Sequence, residues 1–179
     1  MKPSSCRSVL LGNSDNKLSK DDLSRALFCS MAVYKNNAEA EDIFRTAQAA
    51  YPNATFEKVH MAKDHGKAHK FLVAYTEQCV YVAFQGTSNL KDVASDIRID
   101  CHAVKFGGYF HKGFYERADS FASSDQSPLP GLLATKKRII FCGHSLGGAV
   151  AHIVLFRYLL EPRQENFPLL VTNVRPDWL

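Results

Sequence analysis

No run of apolar residues in this 179-residue sequence approaches the roughly 18 needed to cross a bilayer. The first residues also lack the sustained apolar core of a secretory leader, because Val9-Leu10-Leu11 is too short for one. Both absences lead us to expect a cytoplasmic protein. Cysteine is sparse: the sequence has five, widely spaced and with no C-x-x-C pair. That pattern argues against a disulfide framework or a zinc site and favours reduced, buried thiols. No strong charge of either sign is present, since 22 Lys and Arg face 18 Asp and Glu for a formal net charge of +4. The densest basic cluster, Lys136-Lys137-Arg138, precedes an apolar run and reads as the solvated entrance of a strand, so no nucleic-acid partner is expected. Internal repeats and low-complexity tracts are missing too.

What is present is an ordinary composition, 46% hydrophobic and 22% charged, at a length that suggests one domain with a core of useful size. Residues 1–18 are polar and are expected to form a loosely ordered lead, with 19–179 as the domain. Ser19 with Asp22 resembles a capping box, and Leu23, Leu27, Met31 and Tyr34 follow at helical spacing. A second helix is expected over about 39–50, with Ile43 and Ala47 on one face, then a strand over 55–61. Phe71–Tyr75 and Cys79–Phe84 are rich in β-formers and separated only by Thr76-Glu77-Gln78, which predicts a hairpin. Further helices are expected within 90–98 and over 113–123, with loops at Gly107-Gly108 and at the proline-rich stretch Ser127–Gly131.

The chemistry is concentrated near residue 145. Arg138–Cys142 reads as a short buried strand and runs directly into Gly143-His144-Ser145-Leu146-Gly147, with a helix continuing to about Leu160 and a last strand over 167–172. G-x-S-x-G between strand and helix is the pattern of a nucleophile elbow. A chain that turns so sharply holds the apical serine in a strained conformation, and glycines two positions to either side remove the Cβ atoms that would collide. The turn projects the Ser145 hydroxyl outward and aims the Leu146 N–H toward a developing oxyanion, beside the positive end of a helix. Cys142, inside the apolar run, reads as a small core residue and not as a second nucleophile.

Three segments in order resemble the class 3, fungal-lipase-like family of the α/β-hydrolase superfamily. They are Ile139–Ala151, Val82–Ser88 with Asp92 and Asp96-Ile97, and His111-Lys112-Gly113-Phe114. The resemblance implies an α/β fold, a partial α/β-hydrolase with a mixed, mostly parallel sheet flanked by helices and its C-terminal part missing. It implies Ser145 as nucleophile, Thr87 and Leu146 as oxyanion donors, Gly143 and Gly147 as elbow glycines, and residues 88–97 as a lid. Gln85 departs from the family, which usually has Arg there, so the loop is expected to lose some anchoring while keeping its amide donors.

Serine needs a base to take its proton, normally a histidine oriented by an acid, and in this superfamily acid and histidine follow the serine. After Ser145 the sequence holds one histidine, His152, and the acids Glu161, Glu165 and Asp177. His152 lies about 10 Å along the helix from the elbow and is expected to be a half-buried residue of its face. His144 points away from the site, His111 is structural, and His60, His65, His69 and His102 precede the serine. His65 and His69 have the i, i+4 spacing of a metal pair, but Gly66 and polar neighbours indicate a loop, so neither metal nor cofactor is expected. The chain thus reads as a shortened lipase whose central strand would lack parallel neighbours. Three functions follow. The first is a serine hydrolase for acylglycerols or related lipid esters, with transient contact to a membrane or lipid-droplet surface. The second is a catalytically inactive fragment that acts as a binding or regulatory module. The third is another acyl-transfer enzyme such as a thioesterase or peptidase.

Overall fold

A computed structural model of the chain describes residues 18–63, 70–87, 101–103, 109–123, 127–160 and 169–172. The expected lid over 88–97 and the His65/His69 pair lie outside the described residues. Helix α1 spans Lys20–Ala32 and starts where the sequence indicates. The Ser19 hydroxyl accepts the Asp22 N–H at 3.0 Å, and the Asp22 carboxylate accepts the Ser19 N–H at 3.0 Å, so two first-turn donors are satisfied together. Helix α2, Asn37–Ala50, opens on an equivalent box between Asn36 and Glu39, two residues earlier than its apolar spacing suggests.

The face that α1 buries differs from the expected one. Leu23 is 45% exposed, whereas Asp22, Ala26, Cys29, Ser30 and Ala32 are buried. Small side chains let the helix lie close over the sheet, and Asp22 turns inward because the buried Tyr81 hydroxyl and the half-buried Arg138 guanidinium await its carboxylate.

The main sheet has five strands in the order β1 (Lys58–Lys63), β2 (Lys70–Tyr75), β3 (Cys79–Phe84), β6 (Arg138–Gly143) and β7 (Leu169–Thr172). β1–β2 and the expected hairpin β2–β3 pair antiparallel; β3–β6 and β6–β7 pair parallel. The sheet is therefore mixed, with its pairings divided evenly between the two senses. β6 has a parallel partner on each side, which overturns the expectation that this strand would stand uncovered.

All six residues of β3 are buried because both faces of the sheet are covered. Cys79, Tyr81 and Ala83 face a cluster built with Ala26, Cys29 and Val33 of the α1 region. Val80, Val82 and Phe84 face a second cluster with Phe121, Val150 and Val154, supplied by α3 (Lys112–Ser123) and α5 (Leu146–Leu160). The period of two in β3 thus divides one strand between two cores.

Three elements were not legible in the sequence. A small antiparallel pair joins β4 (Cys101–Ala103) to β5 (Tyr109–His111). The proline-rich stretch expected as a break becomes a short helix, α4 (Leu129–Ala134), with proline in its first turn, where no amide donor is needed. The Ser127 hydroxyl secures its start by accepting the Leu129 N–H at 3.1 Å and donating to the Phe121 carbonyl at 2.6 Å.

Candidate active site

β6 ends at Gly143 and α5 begins at Leu146, so the chain reverses direction within two residues. Ser145 absorbs that reversal with φ of 56°, in the left-handed region that non-glycine residues seldom adopt. The neighbouring glycines leave no room for a side chain. A Cβ on Gly143 would stand 2.4 Å from the Gly147 carbonyl carbon, and one on Gly147 would stand 2.0 Å from the Phe84 carbonyl oxygen. The second contact joins the two parts of the site. β3 and β6 run in register with Phe84 opposite Gly143, so the loop leaving β3 passes directly beside the elbow.

Ser145 is half-buried and not enclosed in the core. Its carbonyl accepts the N–H groups of Gly148 at 2.9 Å and Ala149 at 3.2 Å, which ties the strained residue into the first turn of α5. Leu146, the first residue of that helix, rests its half-buried side chain on the core beneath. Among the described residues, neither the Leu146 N–H nor the Thr87 N–H has an acceptor. An open amide at a helix start is a ready site for negative charge.

Sequence reasoning missed two residues that hold the loop. The Tyr34 phenol accepts the Gly86 N–H at 3.0 Å and donates to the His144 carbonyl at 3.3 Å. The Arg117 guanidinium, from α3, donates to the Gln85 carbonyl at 2.8 Å, and the Gln85 N–H donates to the Lys70 carbonyl at 3.1 Å. The anchoring expected to weaken with glutamine at position 85 is thus supplied to its backbone from another helix. Burial raises the Tyr34 pKa, opposed by its bond to the Gly86 amide and by the Arg117 charge, and the phenol keeps its proton. Burial lowers the Arg117 pKa, and the facing Tyr34 pushes it back up.

Among the described residues, no histidine hydrogen-bonds Ser145, and those with described rings meet other partners. The His144 ring lies edge-on to Tyr34, with centroids 6.4 Å apart. His111 stacks on Phe114 at 4.3 Å, and His60 meets Tyr75 at 6.3 Å. His152 is exposed, not half-buried as expected, and its Nδ1 lies 3.3 Å from the Gly148 carbonyl. No described residue hydrogen-bonds the Ser145 hydroxyl. Burial pushes the Cys142 thiol up to about 12, with a bond to Ser30 opposing, so it is a neutral core group. No cluster of three or more metal-ligating side chains occurs among the described residues. Two clefts open elsewhere, one of about 580 Å³ between α2 and β1 beside Phe44 and Met61, the other of about 660 Å³ around Asp22 and Arg138. Neither is lined by the elbow.

The family model described as Lipase (class 3) matches residues 81–174, more than half of the chain. The chain belongs to the class 3 lipase family. The match begins inside β3 and takes in both the loop after it and the elbow. Among solved structures, this class 3 lipase chain is similar to the lipase from Rhizopus microsporus var. chinensis, with TM-score 0.64 and 17% identity over 84% of this chain and 55% of that one. Lipase II from Rhizopus niveus matches with TM-score 0.62 and 19% identity over 84% of this chain and 59% of that one. The Rhizomucor miehei triacylglyceride lipase matches with TM-score 0.56 and 17% identity over 87% and 62% respectively. These likenesses show an α/β-hydrolase fold of the fungal lipase type that extends beyond the residues of the family match. The class 3 lipase chain spans little more than half the length of these structures. No curated protein matches it. Among the described residues, no helix is long and apolar enough to cross a membrane.

Proposed function

We propose that this chain supplies the nucleophile and oxyanion half of a serine hydrolase for lipid esters. Its substrates are acylglycerols or related esters met at a membrane or lipid-droplet surface. The carrying observation is the left-handed backbone at Ser145, held in a strand-to-helix turn against the loop that bears Thr87. The Ser145 oxygen attacks the ester carbonyl as its proton passes to solvent, a carbon–oxygen bond forms, and the carbonyl oxygen becomes an oxyanion that accepts hydrogen bonds from the N–H groups of Thr87 and Leu146. Collapse of that intermediate breaks the original ester carbon–oxygen bond, the departing alkoxide takes a proton from solvent to leave as the alcohol, and water then hydrolyses the acyl-serine to the acid and the free Ser145 hydroxyl. The substrate class rests on family membership and on the likeness to a structure named as a triacylglyceride lipase. The free, buried thiols of Cys29, Cys79 and Cys142 support a cytoplasmic place of action.

A second reading is favoured by one observation: no described residue reaches the Ser145 hydroxyl to take its proton. On that reading the chain binds a lipid ester or a partner without turning it over. Short- and long-chain nitrophenyl esters, with Ser145→Ala as control, separate the two. Turnover that disappears in the variant supports the hydrolase. Equal rates for both proteins, together with retained ester binding, support the binding module.

A further inference from the structure

Tyr34 stands in the turn after α1, far in sequence from both segments it touches, yet its single phenolic oxygen bridges them. That oxygen accepts the Gly86 N–H at 3.0 Å and donates to the His144 carbonyl at 3.3 Å. Gly86 directly precedes the expected oxyanion donor Thr87, and His144 directly precedes the expected nucleophile Ser145. The oxygen also fills space that a side chain would claim, since a Cβ on Gly86 would lie 2.4 Å from it and 2.6 Å from the His144 carbonyl oxygen. The His144 carbonyl takes a second bond, from the Gly147 N–H at 3.0 Å, which closes the turn into α5. The contact therefore reaches the residue whose backbone sets the direction of the helix start.

We propose that Tyr34 is a positioning residue of the oxyanion hole, fixing the spacing between the loop donor at Thr87 and the elbow at Ser145–Leu146. This rests on the hydrolase reading above. Two amide donors stabilise an oxyanion only when both lie at hydrogen-bond distance from the same point, and they belong here to segments that leave different strands. Register between β3 and β6 aligns the strand ends, but among the described residues the ladder between them stops at Phe84 and Gly143. The phenol supplies the next link, and Arg117 restrains the adjacent Gln85 carbonyl from the other side at 2.8 Å. A neutral phenol suits the task because it accepts and donates at once, which neither phenylalanine nor a phenolate does. Misplacement of a donor by about 1 Å is enough to slow chemistry on the order of 100-fold.

The test uses the full chain and Tyr34→Phe, which removes one oxygen and keeps the ring. A long-chain alkyl fluorophosphonate is the probe, because its phosphoryl oxygen occupies the oxyanion position once the serine is modified. We expect Tyr34→Phe to lower the maximal rate of Ser145 modification about tenfold or more while the probe's saturation constant stays within about twofold. Hydrogen exchange at the Gly86 amide should speed up by a similar factor, with amides of the β3 interior unchanged. An unaltered modification rate, an unaltered Gly86 exchange rate, or a fall in rate that merely follows the loss of global stability in urea would overturn the proposal. Absence of Ser145 modification in the unsubstituted chain would instead overturn the hydrolase reading on which it stands.

Discussion

Asp22 in the first turn of α1 and Arg138 at the start of β6 form an ion pair, with Oδ2 and Nη2 2.5 Å apart, across 116 positions of sequence. Asp22 also accepts the Tyr81 hydroxyl at 2.7 Å and lies 3.8 Å from Arg25. One capping carboxylate therefore holds α1 to the entrances of both central strands, at the end of the sheet away from the elbow.

Asp22→Asn should lower stability by about 2–4 kcal/mol, somewhat less than a fully enclosed pair because Arg138 keeps 25% of its side chain exposed. Burial raises the Asp22 pKa, but bonds from Tyr81 and Ser19 and the Arg138 charge outweigh it, and the net shift is downward from 3.8. A depressed carboxylate contributes stability that is complete above 3.8 and is lost as pH falls through the lower folded value. Urea midpoints of the parent chain should therefore drop on acidification below that point. The variant, already weakened, should show a flatter profile; identical profiles would count against the pair.

Ser145→Gly should raise stability by about 1 kcal/mol while abolishing any serine-dependent reaction, because a residue at φ of 56° carries backbone strain that glycine does not. Thermal unfolding checks this. A fall in the midpoint would mean that the hydroxyl makes a stabilising contact outweighing the strain.

Two glycine-to-alanine changes should act in opposite directions. Gly147→Ala forces a Cβ to 2.0 Å from the Phe84 carbonyl, where only backbone could yield, so soluble folded protein should be lost. Gly131→Ala meets nothing within 4 Å and lies in α4, so it should stabilise by about 0.5–1 kcal/mol through helix propensity and a less flexible unfolded chain. Expression yield for the first and a melting curve for the second decide the matter.

Cys142 should resist iodoacetamide at pH 8 in the folded chain and react once the chain is unfolded in urea. Its thiol is buried and its pKa is about 12, which leaves almost no thiolate. Cys29, also raised by burial, should behave alike. Peptide mapping that found either one alkylated in the native state would contradict this packing.

The sequence alone determined features whose causes lie within a few residues. Gly143 and Ser145 mark the elbow because a Cβ at Gly143 would collide with the backbone of Gly147 and Gly148 one turn on. Ser19 with Asp22, the Thr76-Glu77-Gln78 hairpin turn and the small-residue start of α5 follow from equally local bonds and spacings. Tertiary structure decided everything that depends on a distant partner. It chose the buried face of α1, leaving Leu23 in solvent, because Tyr81 and Arg138 claim Asp22. It made Tyr34 and Arg117 the supports of the loop, though neither stands in a motif, because strands β3 and β6 bring Gly86 and His144 side by side. Local sterics repeat wherever the same residues recur, whereas these bonds form only after the sheet has aligned segments that the chain itself keeps far apart.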